Sequence, residues 1–145
     1  PLLTLHVAVI MIAYCLLAFT MLNGVTGLIL HVHNKRTGNQ NDQTVERLQV
    51  LSQLLLYPAV FCLTIGIFIG AVWANISWGR YWGWDPKEVW ALITMLIYAA
   101  PLHTGSLPFL ARPRNFHLYM VLAFLAVLFT YFGVNFILGG MHSYA

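Results

Sequence analysis

The sequence predicts an all-α integral membrane protein, a four-transmembrane-helix bundle with a tryptophan-rich amphipathic segment between the second and third spans. Three observations predict this fold class. Of the 145 residues, 60% are hydrophobic and only 8% are charged, whereas a soluble domain carries about 25% charged residues. Several apolar stretches exceed the roughly 18 residues that distinguish a spanning helix from a core helix. All five tryptophans fall within residues 73–90.

Four apolar stretches define the expected spans, at about residues 3–30, 48–74, 89–107 and 116–138. Pro58 is expected to kink the second span, because proline removes a backbone donor and clashes one turn back. Polar loops at about 31–47 and 108–115 join the spans, and the tryptophan-rich segment at about 75–90 joins the second to the third. The chain starts at Pro1, so we expect a single membrane domain that is a fragment of a larger protein.

Basic residues set the expected orientation. Five of the seven lysines and arginines lie in loops 31–47 and 108–115, which an even number of spans places on one side. The positive-inside rule assigns that side to the cytoplasm, so the tryptophan-rich segment and both chain ends face outward. So few basic residues do not suggest nucleic-acid binding. Cys15 and Cys62 belong to no CxxC pattern, which argues against zinc, dithiol and covalent haem chemistry.

The aromatic segment has two interpretations. An interfacial belt is the simpler one, because tryptophan prefers the membrane surface, but a belt places only one or two tryptophans at each span end. Tryptophans packed into one loop favour a continuous platform for a large, flat, apolar ligand. Asp85-Pro86-Lys87-Glu88 resembles a helix start with Asp85 as N-cap and Glu88 closing a capping box, so we expect capping from both carboxylates. Arg80 and Lys87 are candidate partners for an anionic ligand or for lipid phosphates.

Three histidines are candidates for metal binding. His6 begins the first span and His142 follows the last, so both flank the aromatic segment; two imidazoles across a flat ligand suit six-coordinate haem iron, and coincidence is the alternative. His103 lies 18 residues beyond Asp85, roughly 27 Å along a helix at about 1.5 Å per residue. An ionisable residue inside a span is a functional candidate, with a histidine bonded to a neighbouring helix as the alternative. We expect His117 at the membrane interface.

At this point the residues resemble a known family. The stretch WGRYWGWDPKEVWALITMLIYAAPLH, from Trp78 to His103, resembles the WWD signature of haem-handling proteins, W-G-x-x-W-x-W-D-x-x-E-x-W-x-L-I-T. The leading LLTLHV and the trailing FGVNFILGGMHSYA resemble the flanking segments of the system II cytochrome c synthase, a cytochrome c biogenesis protein (the ResC/CcsA half, or the fused CcsBA). The resemblance therefore covers both ends and the middle of the chain.

The resemblance implies a site for haem b. His6 and His142 would be the external axial ligands of the iron, and His103 a transmembrane ligand of a second, inner haem. Pro101, two residues before His103, leaves the geometry of that ligand the least certain. The second inner ligand would come from an accessory CcsB/ResB-type half. The implied WWD platform for the external haem consists of Trp78, Trp82, Trp84, Asp85 and Trp90.

The implied activity is that of a holocytochrome c synthase, or cytochrome c haem lyase. Haem would cross the membrane and be joined through thioether bonds to the CxxCH motif of apocytochrome c, with no catalytic residue separate from haem positioning. The implied location is the bacterial inner membrane, with the WWD segment facing the periplasm, or the thylakoid membrane, among lipids and without nucleic acid. Three alternatives stay open: a system I protein loading a haem chaperone, a di-haem b-type electron carrier, and a haem transporter without ligation activity.

Overall fold

The computed structural model describes residues 2–38, 43–84, 86–103 and 106–132. Four α-helices occupy these ranges: α1 (Leu2–Thr37), α2 (Gln43–Trp78), α3 (Pro86–Ala99) and α4 (Pro113–Leu128). Two short 3-10 turns, Ala100–His103 and Pro108–Ala111, lie between α3 and α4. None of the described residues is in a β-strand, which confirms the all-α prediction for this part of the chain.

Within the described ranges, three helices are long and apolar enough to cross a membrane. They are α1, α2, and α4 with its continuation to Phe132. The remaining apolar helix, Glu88–His103, is shorter. The structure therefore supports an integral membrane protein but gives only three helices of spanning length where the sequence predicted four.

Pro101 explains why the third helix ends early. Proline has no N–H to donate to the carbonyl four residues before it, so Ile97 loses its helical partner and the chain tightens into the turn Ala100–His103. The Tyr119 hydroxyl of α4 donates to Ile97 O at 2.5 Å. A tertiary contact thus satisfies the carbonyl that proline leaves unpaired, and the helix predicted for 89–107 ends at His103.

The first two helices extend beyond the apolar stretches that predicted them. Because α1 continues to Thr37 and α2 begins at Gln43, most of the predicted loop 31–47 is helical. Polar residues mark the end of the membrane-spanning part of each helix, but the helix itself continues beyond them. Lys35 and Arg36 in the last turn of α1 also interact favourably with the helix dipole, as does Glu46 in the first turn of α2.

The predicted external segment 75–90 is two helix ends joined by a short link. α2 continues to Trp78, and Gly79 follows with φ +79° and its N–H donated to Asn75 O at 2.9 Å. Glycine adopts this left-handed conformation without steric penalty and commonly terminates helices. Residues 80–84 are irregular, and α3 begins at Pro86. The segment is therefore not one amphipathic element.

The helices α1 and α2 are antiparallel and hold the other elements. Asn23 of α1 donates to Ser52 of α2 at 3.3 Å, and Gln49 of α2 donates to Ala111 O at 3.1 Å. The second bond joins the start of α2 to the connection that precedes α4. The two loops rich in basic residues therefore lie at one end of the bundle, here called the basic end, as the sequence predicted. The opposite end carries the link 80–84 and is called the tryptophan end.

All four helices contribute to one buried core. In a membrane, such a core is stabilised by van der Waals packing more than by the hydrophobic effect, because lipid tails are as apolar as the side chains. α4 begins at Pro113, three residues before the predicted start, and residues 133–138 of the predicted fourth span lie outside the described residues. The core consists of Leu17, Leu56, Ala59, Tyr98, Phe116, Met120, Ala123 and Val127.

Candidate functional site

His6 lies on α1 with its ring against α2. Its Nδ1 is 2.6 Å from Gly66 O, and a carbonyl can only accept, so Nδ1 donates. The ring lies over Gly70, where an added Cβ would come within 2.6 Å of the His6 Cε1. His6 is half-buried. The structure therefore fixes both the position and the tautomer of this histidine.

The tryptophan end begins one turn beyond the His6 contact. Trp73 and Trp78 of α2 pack edge-to-face, with ring centroids 4.8 Å apart and planes at 76°. Because α2 runs from Gly70 directly into these residues, His6 and the tryptophan-rich segment share one end of the bundle. The sequence predicted this grouping from charge and span count alone.

The link 80–84 is held by polar contacts around Gly83. The Gly83 N–H donates to Glu88 Oε2 at 2.8 Å, and the Arg80 guanidinium lies where a Gly83 Cβ would be, with Nε at 2.6 Å. Glu88 thus holds the link through Gly83, and its predicted capping box with Asp85 stays a prediction. Asp85, the predicted N-cap, lies outside the described residues.

Trp84 has a strained backbone and an exposed indole. Its φ is +56° and its exposed fraction is 73%. A bulky non-glycine residue rarely adopts this left-handed region, and such strain concentrates at functional sites. Trp82 packs edge-to-face against Trp84, with centroids 5.8 Å apart and planes at 88°. Two large apolar rings are thus presented at the tryptophan end.

Trp90 anchors the start of α3 to α4. Its ring packs against Phe129 at 4.4 Å between centroids. Below it, the buried hydroxyls of Thr94 and Thr130 lie 3.0 Å apart, and Thr94 donates to Trp90 O at 2.8 Å. Trp90 therefore joins two helices, while the paired indoles of the link and of α2 are nearly perpendicular to each other. The continuous platform of tryptophans stays a prediction.

His103 lies away from His6, in the turn that follows α3. Its Nδ1 donates to Ala99 O at 2.8 Å, and the side chain is exposed. The chain from His103 leads to the connection held by Gln49, so His103 belongs to the basic end. His142 lies outside the described residues. Among those described, no three His, Cys, Asp or Glu side chains are grouped as metal ligands would be.

His117, which the sequence placed at the membrane interface, is buried between helices. Its exposed fraction is 0%. Nε2 donates to Val45 O of α2 at 2.9 Å, and a Cβ on Gly27 of α1 would lie 2.6 Å from the ring. His117 thus joins three helices at the basic end. The spacing Gly24-x-x-Gly27, like Gly66-x-x-x-Gly70 on α2, could have indicated close helix contacts.

Comparison with known proteins assigns the family. A family model described as cytochrome c assembly protein matches residues 1–142. The chain belongs to the cytochrome c assembly protein family. Family membership, together with three helices of spanning length, makes it a membrane protein of cytochrome c biogenesis.

Individual relatives agree with this assignment. The chain is 41% identical over 147 aligned residues to protein NrfI of Wolinella succinogenes, covering 99% of the chain and 16% of that relative. It is 42% identical over 149 residues to the cytochrome c biogenesis protein CcsA of Chlamydomonas reinhardtii, with 98% and 40% covered. CcsA of Guillardia theta is 38% identical over 161 residues, with 98% and 53% covered. The chain is thus similar to CcsA and spans about half the length of these relatives or less.

Proposed function

We propose that the chain is the haem-holding part of a holocytochrome c synthase. Haem b, the substrate, is held at the tryptophan end between His6 and His142 and is joined to the CxxCH motif of apocytochrome c. The observation that carries this proposal is the His6 ring, bonded through Nδ1 to Gly66 O at 2.6 Å at the end of the bundle that presents the tryptophans. Membership of the cytochrome c assembly family supports it.

The chemistry that the proposal requires is positioning. Each thioether forms when a cysteine thiol adds across a haem vinyl group, so that sulfur bonds to one carbon and the thiol hydrogen ends on the other. The addition is redox-neutral, and both thiols come from the apocytochrome. Holding two thiols against two vinyl groups removes much of the entropic cost of bringing these groups together. Trp82 and Trp84 supply apolar area for the macrocycle, and His6 and His142 hold the iron until the CxxCH histidine displaces one of them.

We assign His103 to a second, inner haem site at the basic end. Its Nδ1–H is donated to Ala99 O at 2.8 Å, so its lone pair lies on Nε2, as for His6. Its partner ligand comes from the accessory CcsB/ResB-type half. By the positive-inside rule the basic end faces the cytoplasm, and the tryptophan end faces the periplasm or the thylakoid lumen. Haem therefore moves from His103 toward His6.

Absorption spectra of the purified full-length protein test the ligand assignment. We expect His6→Ala and His142→Ala to lose the low-spin signal of the external haem and to regain it with added imidazole. His103→Ala should reduce the total haem recovered, because the inner site fills the outer one. The matched control is His33→Ala, an exposed histidine of the basic end, which should keep the wild-type spectrum. Identical haem in all variants would contradict the assignment.

A peptide assay separates attachment from delivery. The haem-loaded protein is incubated under reducing conditions with a CxxCH peptide or with an SxxSH control peptide. Attachment saturates both vinyl groups, so the pyridine haemochrome spectrum should shift from b-type to c-type with the first peptide only. Transfer of unmodified haem to either peptide, without that shift, would favour the haem-delivery alternative over the synthase.

A further inference from the structure

His103 is carried by the 3-10 turn Ala100–His103 and not by a last turn of α3. A 3-10 helix turns by about 120° and rises about 2.0 Å per residue, against about 100° and about 1.5 Å for an α-helix. Over the three steps from Ala100 to His103, this difference amounts to about 60° of rotation and about 1.5 Å of rise. The type of turn therefore decides the direction in which the His103 side chain leaves the backbone.

Two residues on different helices impose this turn. Pro101 is buried and has no N–H for the Ile97 carbonyl. Inside a membrane an unpaired carbonyl is costly, because no water can replace the lost partner. The Tyr119 hydroxyl of α4 donates to Ile97 O at 2.5 Å and removes that cost. Pro101 thus interrupts α3, and Tyr119 stabilises the interruption from the neighbouring helix.

The backbone and the ring of His103 are both held at this turn. The His103 carbonyl accepts from the N–H groups of Ser106 and Leu107, each at 3.0 Å. The ring donates from Nδ1 to Ala99 O at 2.8 Å, and the side chain is exposed. Because Nδ1 carries the proton, the neutral ring keeps its lone pair on Nε2. A metal-ligating histidine commonly has its tautomer and orientation fixed by such a bond to a backbone carbonyl.

We infer that Pro101 and Tyr119 are positioning residues for the inner haem, because they set the direction from which His103 reaches the iron. Each acts through the backbone of the turn and not through contact with the haem. This inference rests on the proposed function, since it takes His103 as the ligand of the inner haem. A merely structural role would change the thermal midpoint and leave the spectrum of the inner haem as it is.

The chain offers a matched control for each of the two residues. Tyr98 directly follows Ile97, its side chain is fully buried, and its hydroxyl has no hydrogen-bond partner among the described residues. Tyr98→Phe therefore removes the same atom as Tyr119→Phe without removing a bond from Ile97 O. Pro58 lies inside α2, so Pro58→Ala restores a helical N–H away from the turn that carries His103.

Ferric electron paramagnetic resonance of the full-length protein tests the inference. A His6→Ala background removes the external low-spin haem, so the low-spin signal that remains belongs to the inner one. Pro101→Ala lets the last turn become α-helical and rotates His103, so it should shift the low-spin g-values or abolish that signal. Tyr119→Phe keeps the proline but loses the anchor on α4, so it should give a smaller shift. Tyr98→Phe and Pro58→Ala should give the g-values of the background.

His103→Ala in the same background separates this inference from the proposed function. If it keeps the inner low-spin haem, His103 is not a ligand, and the inner site and its positioning residues are overturned together. If it loses that signal while Pro101→Ala and Tyr119→Phe give unshifted g-values, only the positioning role is overturned. Should Pro101→Ala fail to accumulate with haem, Tyr119→Phe decides alone. Unshifted g-values, or an equal shift in Tyr98→Phe, then overturn the inference.

Discussion

The two ends of the bundle each place a histidine over a glycine, but they use opposite ring nitrogens. At the tryptophan end, half-buried His6 donates from Nδ1 to Gly66 O. At the basic end, His117 is fully buried and donates from Nε2 to Val45 O. The two histidines thus use different ring nitrogens to hold a backbone carbonyl of α2.

This difference shows that one packing arrangement, an imidazole ring over a glycine, can serve two purposes. A ring over a glycine lets two helices approach closely whatever the ring does next. The two sites differ in burial: His117 is fully buried and its Nδ1 has no hydrogen-bond partner in the structure, whereas His6 is half-buried. His117 therefore serves helix packing, and His6 stays the proposed ligand.

The largest expected effect separates the two histidines. His6→Ala should abolish external low-spin haem and change the thermal midpoint little, because the side chain is half-exposed. His117→Ala should keep that haem signal but leave a buried cavity and remove the bond to Val45 O, lowering stability by about 2–4 kcal/mol. Haem spectra and thermal unfolding in detergent check both. Equal loss of haem in the two variants would show that both histidines act only through the fold.

The two glycine substitutions should follow the order of the two histidine substitutions, with the larger loss of stability at the basic end. Gly27→Ala places a methyl 2.6 Å from a ring that has no room to move, so we expect destabilisation by about 1–3 kcal/mol. Gly70→Ala meets a half-exposed ring that can rotate away, and its thermal midpoint should fall less. Thermal unfolding of both single variants measures this. A larger loss for Gly70→Ala would mean that the tryptophan end is the more tightly packed one.

Trp84 allows strain and ligand contact to be measured separately at the tryptophan end. Both Trp84→Ala and Trp84→Gly remove the indole and should weaken haem retention equally. Only glycine relieves the left-handed backbone at φ +56°, so Trp84→Gly should be more stable than Trp84→Ala by about 1 kcal/mol. Haem retention after gel filtration and thermal midpoints are the measurements. Equal stability of the two variants would indicate that the link relaxes without cost.

The smallest expected effect concerns the end of α3. Tyr119→Phe removes the hydroxyl that donates to Ile97 O, the carbonyl left unpaired by Pro101. Interhelical hydrogen bonds in membranes contribute about 0.6 kcal/mol on average, so a loss of about 0.5–1 kcal/mol is expected. Pro101→Ala should reduce that loss, because an N–H at position 101 can bond to Ile97 O itself. A double-mutant cycle measured by thermal unfolding tests this coupling.

Much of the site could be located from the sequence because its signals are local or depend on counting. The helix start at Pro86, the grouping of the tryptophans and the placement of His6 at their end all follow from residue type, charge and span number. His142 and Asp85 remain predictions. The burial of His117 and the packing of His6 over Gly70 could not be predicted in the same way, because both depend on which helix faces lie against each other.

By itself, the amino-acid sequence determined the all-helical membrane class, the shared end of the two basic loops and the resemblance to haem-handling proteins. Composition and hydropathy act on each segment independently, so these features need no knowledge of packing. Only the tertiary structure decided where α1 and α2 end, how Tyr119 satisfies the carbonyl that Pro101 leaves, and which ring nitrogen of His6 and of His117 bonds to a carbonyl of α2. Those features arise from contacts between residues far apart in sequence, where one backbone oxygen on a neighbouring helix selects the tautomer of a ring.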